Sequence, residues 1–130
     1  MLFRSVELRR ELGERIAVAG AIAALGTSLN IAWHNAEAVA LLGPALAEFS
    51  DMADRPEVIA LASQLARAHM LRLESEAAIE VADRVLAAAE RAGERALVAD
   101  TLVTKATALA AVGRSIEGLA LFVEIGRAHV

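Results

Sequence analysis

Three histidines, His34, His69 and His129, are the first residues to weigh for metal or acid–base chemistry. None has the His-Glu-x-x-His spacing that sets two imidazoles on one helix face for zinc. His34 and Glu37 stand three apart, but at a helix start, where polar residues are ordinary. His69 shares a column with Leu29 and Leu109 and reads as a half-buried packing residue. With no cysteine in the chain, the donors fall short of the roughly three or four that a zinc site needs. Gly20 to Ser28 has a phosphate loop's two glycines but lacks its lysine, holds one residue too many between them and follows no strand. Helix packing explains those glycines better. Glu7, Glu11 and Glu14 interleave with Arg4, Arg10 and Arg15, and Glu74, Glu76, Glu80 and Asp83 precede Arg84. Such patterns are solvated helix faces whose ion pairs contribute about 0.2–0.5 kcal/mol each. No pair of carboxylates stands out as acid and base, and no nucleophile has a partner. The expectation is no catalytic site, no metal and no cofactor.

The elements that would position any site are helices. Hydrophobic residues make up 57% of the chain but aromatics only 3%, so Ala and Leu, strong helix formers, dominate and strand signals are sparse. An all-α fold follows. The length of 130 residues suits one domain with one continuous core. A net charge of −4 argues against nucleic acid as a partner, because a phosphate backbone calls for a basic face. The lack of cysteine removes disulfide and thiolate chemistry and fits the cytoplasmic location expected here. Ile16 to Trp33 runs 18 residues without a charge, after Arg4, Arg9, Arg10 and Arg15. That length is marginal for a membrane anchor. Gly20, Gly26, Thr27, Ser28 and Asn30 suit lipid poorly, so a helix buried between neighbours is expected, with no membrane.

Internal repetition organises the rest. Shifted by 40 residues, Glu14-Arg15, Asp54-Arg55 and Glu94-Arg95 coincide, as do Val18, Val58 and Val98. Asn35, Ser75 and Ser115 also coincide, and each can accept a backbone N–H at a helix start. Gly13, Ala53 and Gly93 mark helix ends in the same register. Asp54 and Glu57 have capping-box spacing, with Pro56 in the permissive first turn. The reading is two helices per unit: 15–32 with 36–50, 56–72 with 76–91, and 95–112 with 116 onward. Short connections fold each pair into an antiparallel hairpin, and stacked hairpins bury the faces that one hairpin leaves open. Pro44 is expected to kink or break its helix.

These residues resemble tetratricopeptide repeats. The resemblance lies in the small positions Gly26, Ala66 and Ala106 of the first helices and Ala38, Ala78 and Gly118 of the second. Leu42, Ala82 and Phe122 follow at the bulky position, and Gly113 to Phe122 is the best match. Lys105 beside Leu25 and Leu65, and a period above the family's usual ~34, are departures. The resemblance covers residues 1–123 and implies a short α-solenoid of about three units. These are 14–53, 54–93 and 94–123, with 1–13 a remnant helix of a preceding unit and Met1 an internal start. Residues 124–130 resemble the translation of a sequencing adapter and are expected to be an artefactual tail. By the resemblance the chain is a non-catalytic protein–protein interaction scaffold, a fragment of a larger bacterial regulatory protein. The alternative is a regulatory repeat region of a multidomain adenylate or guanylate cyclase or an ATPase. The partner is a protein, a peptide or another domain of the same chain, with self-association expected through uncapped ends. Groove positions carried over are Thr27, Asn30, Ser63, Arg67, Met70 and Thr107, flanked by apolar Ala23, Ile31, Val103 and Ala110.

Overall fold

The computed structural model describes residues 2–128, so His129 lies outside them. Six α-helices and no strand occur among the described residues. They are α1 (Leu2–Ile31), α2 (Asn35–Glu48), α3 (Pro56–Leu71), α4 (Ser75–Ala92), α5 (Arg95–Ala111) and α6 (Ser115–Ala128), with a 3-10 turn at Ser50–Met52.

One device closes α1, α3 and α5. The N–H of His34 donates to the Leu29 carbonyl at 2.8 Å, that of Glu74 to His69 at 2.9 Å, and that of Arg114 to Leu109 at 2.8 Å. Each bond spans a residue in the left-handed region: Trp33 at φ 62°, Leu73 at φ 62° and Gly113 at φ 82°. This is the six-to-one closure that satisfies a helix's last carbonyls, and it recurs at the 40-residue spacing read from the sequence. Gly93, at φ 72°, ends α4 in the same way, with the Glu94 N–H donating to Ala89 at 2.9 Å.

Helices start at Asn35, Ser75 and Ser115, as expected, but the mechanism differs. The cap positions of α2 and α4 are held by His34 and Glu74, and no side chain makes a capping bond there. Asn35 and Ser75 are instead buried at the reversal, and the left-handed turn itself orients the next helix. The capping box at Asp54 does not form. Asp54 accepts from Arg91 at 2.9 Å, and Glu57 pairs with Arg55 at 3.6 Å. Gly13 ends nothing: α1 runs straight through it, joining the expected remnant helix 1–13 to the first repeat helix. Residues 2–14 are exposed, so no packing opposes their intrinsic helix preference, and one internal glycine costs only about 1 kcal/mol. α2 likewise continues through Pro44. The preceding residue is Gly43, whose missing Cβ removes part of the clash that bars helical geometry before a proline.

Each helix packs on the next, and α1, α3 and α5 also pack on one another in a row. The two small-residue columns sit at these approaches: Gly26, Ala66 and Ala106, with Ala38, Ala78 and Gly118, are all buried. A Cβ on Gly26 would come within 2.6 Å of the Leu42 side chain, and one on Gly118 within 2.8 Å of the Ala106 carbonyl oxygen. The core spans the first five helices around Leu42, Phe49, Ile59, Leu61, Val85 and Leu109. α1 differs from the helix buried between neighbours that its composition led us to expect. It is the one helix among those described that is long and apolar enough to cross a membrane, yet its most apolar window is only 17% buried. α2 and α3 cover one side of it, and Val18, Leu25 and Ile31 face outward. Leu2, Phe3 and Val6 at one end of the fold, and Ile116, Leu119, Phe122 and Val123 at the other, are exposed too.

Two substitutions check these contacts by chemical denaturation. Ala78→Leu is expected to lower stability by about 1–3 kcal/mol through overpacking, and an unchanged unfolding midpoint would show that Ala78 is not at a close contact. Leu73 holds a left-handed conformation with its side chain 81% exposed, so it strains the backbone and packs on little. Leu73→Gly is therefore expected to raise stability by about 1 kcal/mol, and a loss would mean that the leucine side chain supports the turn.

Candidate functional site

The six groove positions divide between surface and interior. Thr27, Arg67 and Thr107 form one column at 40-residue spacing along the row of α1, α3 and α5. Arg67 and Thr107 are exposed, and Thr27 and Met70 are half-buried. The Thr27 hydroxyl donates to the Ala23 carbonyl at 3.0 Å and that of Thr107 to Val103 at 2.9 Å, leaving their oxygens free to accept. Arg67 makes no ion pair among the described residues, which makes its guanidinium the most available polar group of the set.

Asn30 and Ser63 are elsewhere. The structure places both between helices, each less than a tenth exposed. The Asn30 amide donates to the backbone carbonyl of Gln64 and to its Oε1, both at 3.0 Å, and its own oxygen accepts from Asn35 at 3.0 Å. Ser63 meets Thr101 across α3 and α5 at 3.4 Å. Both side chains leave their helices towards the neighbouring first helix. The row of first helices is packed closely enough there to enclose them, which a single helix's periodicity does not encode. No buried side-chain polar atom among the described residues lacks a partner. In a low-dielectric interior such satisfied bonds fix how the helices sit along one another, because a slide would leave donors unpaired.

Several charges on the outer surface are locally paired. Arg15 grips Asp51 with two bonds, at 2.8 and 2.9 Å, and lies 5.6 Å from the centre of the Phe49 ring. That guanidinium holds the Asp51 carboxyl below the usual aspartate range. His69 Nδ1 stands 2.9 Å from the Glu74 carboxylate, and Arg72 Nε donates to the same oxygen at 3.2 Å. An ionised carboxylate only accepts, so Nδ1 carries the proton. These bonds, chiefly that from His69, depress the Glu74 pKa. His69 is half-buried, as its column implied, and it also braces the α3–α4 turn through Glu74. No group of three or more His, Cys, Asp or Glu side chains is placed to hold a metal among the described residues.

A second surface was not foreseen. A trench of about 750 Å³ opens between α2 and α4, on the opposite side of α3 from Arg67. Its floor is Val58, Ala62, Leu65, Val81 and Val85, and Gly43, Ala47, Ala77 and Ala87 stand on its walls. The signal available in the sequence was the concentration of Gly and Ala on outward positions of α2 and α4, which reads equally well as packing. No family model matches the chain, and no curated protein or solved structure matches it at a significant level.

The Glu74 arrangement gives a pH dependence with a definite sign. Its folded pKa is depressed, so the stability it contributes is present above the ordinary glutamate value of about 4.3. That stability is lost as pH falls through the lower folded value. Glu74→Gln is expected to flatten the acid limb of the unfolding free energy below about pH 5, measured by denaturant titration at a series of pH values. An acid limb identical to that of the parent would show that the His69–Glu74–Arg72 cluster does not couple to folding.

Proposed function

We propose that the chain is a non-catalytic protein–protein interaction module, with its hairpins stacked as a short tetratricopeptide-like α-solenoid. The observation that carries this reading is the identical turn closure at His34, Glu74 and Arg114, together with the row of α1, α3 and α5. Hairpins closed by the same geometry at a constant spacing stack by a constant operation, and arrays of that kind present extended faces to protein partners. On this reading the face is the row of first helices, with Arg67, Met70, Thr27 and Thr107 meeting a protein or peptide segment. Asn30 and Ser63 then serve as struts behind that face. The proposed setting is a larger bacterial regulatory protein in the cytoplasm, without nucleic-acid or membrane binding by this region.

The test is site-specific photocrosslinking in cells of the source organism, with the crosslinker at position 67 or 107 and a control at exposed position 90 on α4. A discrete protein adduct from 67 and 107 but not from 90 is the expected result. Adducts from 90 alone, or none from the first-helix row, would count against this face.

A further inference from the structure

We propose that the trench between α2 and α4 is a binding site for an aliphatic carboxylate, its chain on the apolar floor and its anionic end towards Arg91 and Arg84. This does not depend on the partner-binding face, which lies across α3.

The residues that line one end of the trench differ in kind from those at the corresponding place one unit on. Shifted by 40 residues, Gly43, Leu65 and Ala77 become Asp83, Lys105 and Glu117. There Lys105 Nζ reaches Asp83 at 2.7 Å, and Arg114 Nε donates to Glu117 at 2.8 Å. The Lys105–Asp83 pair lies across that opening, whose volume is about 190 Å³. In the earlier unit the same three positions carry no charge, and two of them are Gly and Ala, so no ion pair bridges that end of the opening. The trench is lined by residues between 43 and 91, all internal to the chain, so it does not arise from an uncovered first or last helix.

Its chemistry is that of an amphipathic ligand. A volume of about 750 Å³ lies within the roughly 300–1,000 Å³ of small-molecule sites, which combine apolar walls with a few polar groups. Its charged groups are two arginines, Arg84 and Arg91, the lining carboxylate Glu80, and Asp54, which pairs with Arg91; the arginines are the groups a ligand anion would meet. Seven residues apart on α4, the two arginines stand on one side of the helix about 10 Å apart along its axis. Their present partners are weak competitors: Glu80 holds Arg84 at 3.2 Å and Asp54 holds Arg91 at 2.9 Å, all with exposed side chains. Exposed pairs of this kind contribute little, so a guanidinium can turn to a ligand carboxylate at small cost. α4 runs parallel to the trench, with Ala77 and His69 at one end and Arg91 and Ser50 at the other. The carboxylate belongs at the Arg91 end, and the chain extends towards Ala77.

Isothermal titration of the full chain with decanoate, below its micellar concentration, and with decan-1-ol tests the assignment. Saturable, one-to-one decanoate binding is expected. Ala47 and Ala87 are exposed wall residues, so Ala47→Leu with Ala87→Leu should plug the trench, keep the helical circular dichroism and weaken both ligands by at least tenfold. Either single variant carries the same test if the pair unfolds. Arg84→Gln with Arg91→Gln should weaken decanoate by at least fivefold and leave decan-1-ol unchanged. The proposal is overturned by the absence of saturable decanoate binding, by undiminished binding in a folded plugged variant, or by indifference of decanoate to the arginines. Binding of an acidic amphipathic peptide in the trench without any uptake of decanoate would assign it to a protein helix and overturn the proposal as well.

Discussion

The close approach of successive helices at positions without room for a side chain is the constraint on which the rest of the structure depends. Gly26 meets Leu42, and Gly118 meets the Ala106 carbonyl, at separations that a single added carbon would violate. Ala38, Ala66, Ala78 and Ala106 are all fully buried. Close approach lets a chain with few aromatics build a core at all. Alanine supplies little area per residue, so backbones must come near one another for dispersion and apolar burial to offset the entropy of ordering the chain. The small columns also set where the helices touch, and therefore which flanking residues are enclosed and which remain at the surface.

Given those contacts, the turns need only reverse the chain. Three of them do so with one hydrogen-bond pattern, and two accept a large residue at positive φ to keep it. Glycine is the natural occupant of such a position, and Gly113 takes it in the last hairpin. Trp33 and Leu73 hold the same geometry because the helices on either side are already positioned by packing. Local strain is tolerated where the tertiary contacts over-determine the path. The buried amides and hydroxyls between α1, α3 and α5 add a second restraint, against sliding rather than against separation.

The two sides of α3 then acquire different characters. Towards α1 and α5 the packing is tight enough to enclose Asn30 and Ser63, leaving Arg67 as the prominent polar group. Towards α2 and α4 the helices stand apart over an apolar floor. Repetition makes the comparison internal: one unit later the corresponding gap is crossed by Lys105 and Asp83.

Much of the architecture was legible in the sequence because it rests on local chemistry and on periodicity. Alanine and leucine content specified helices, recurrence at 40 residues placed the reversals at Asn35, Ser75 and Ser115, and the small columns marked the contacts. The unbroken run of α1 through Gly13 was not legible, since a glycine ends a helix only where packing turns the chain, and residues 2–14 are exposed. The caps were misassigned for a related reason: Asn35 has a capping side chain, but the fold brings Asn30 within 3.0 Å of it and uses the amide there. Exposure of the candidate groove residues was a tertiary matter too. Periodicity gives the direction a side chain leaves its helix, whereas burial depends on how near the next helix comes. The sequence by itself determined which segments are helical and where they reverse, because those are short-range preferences. Only the tertiary structure decided that Asn30 is a strut, that Arg67 is available and that a trench opens above Val58 and Val85, because each depends on the distance between helices far apart in the chain.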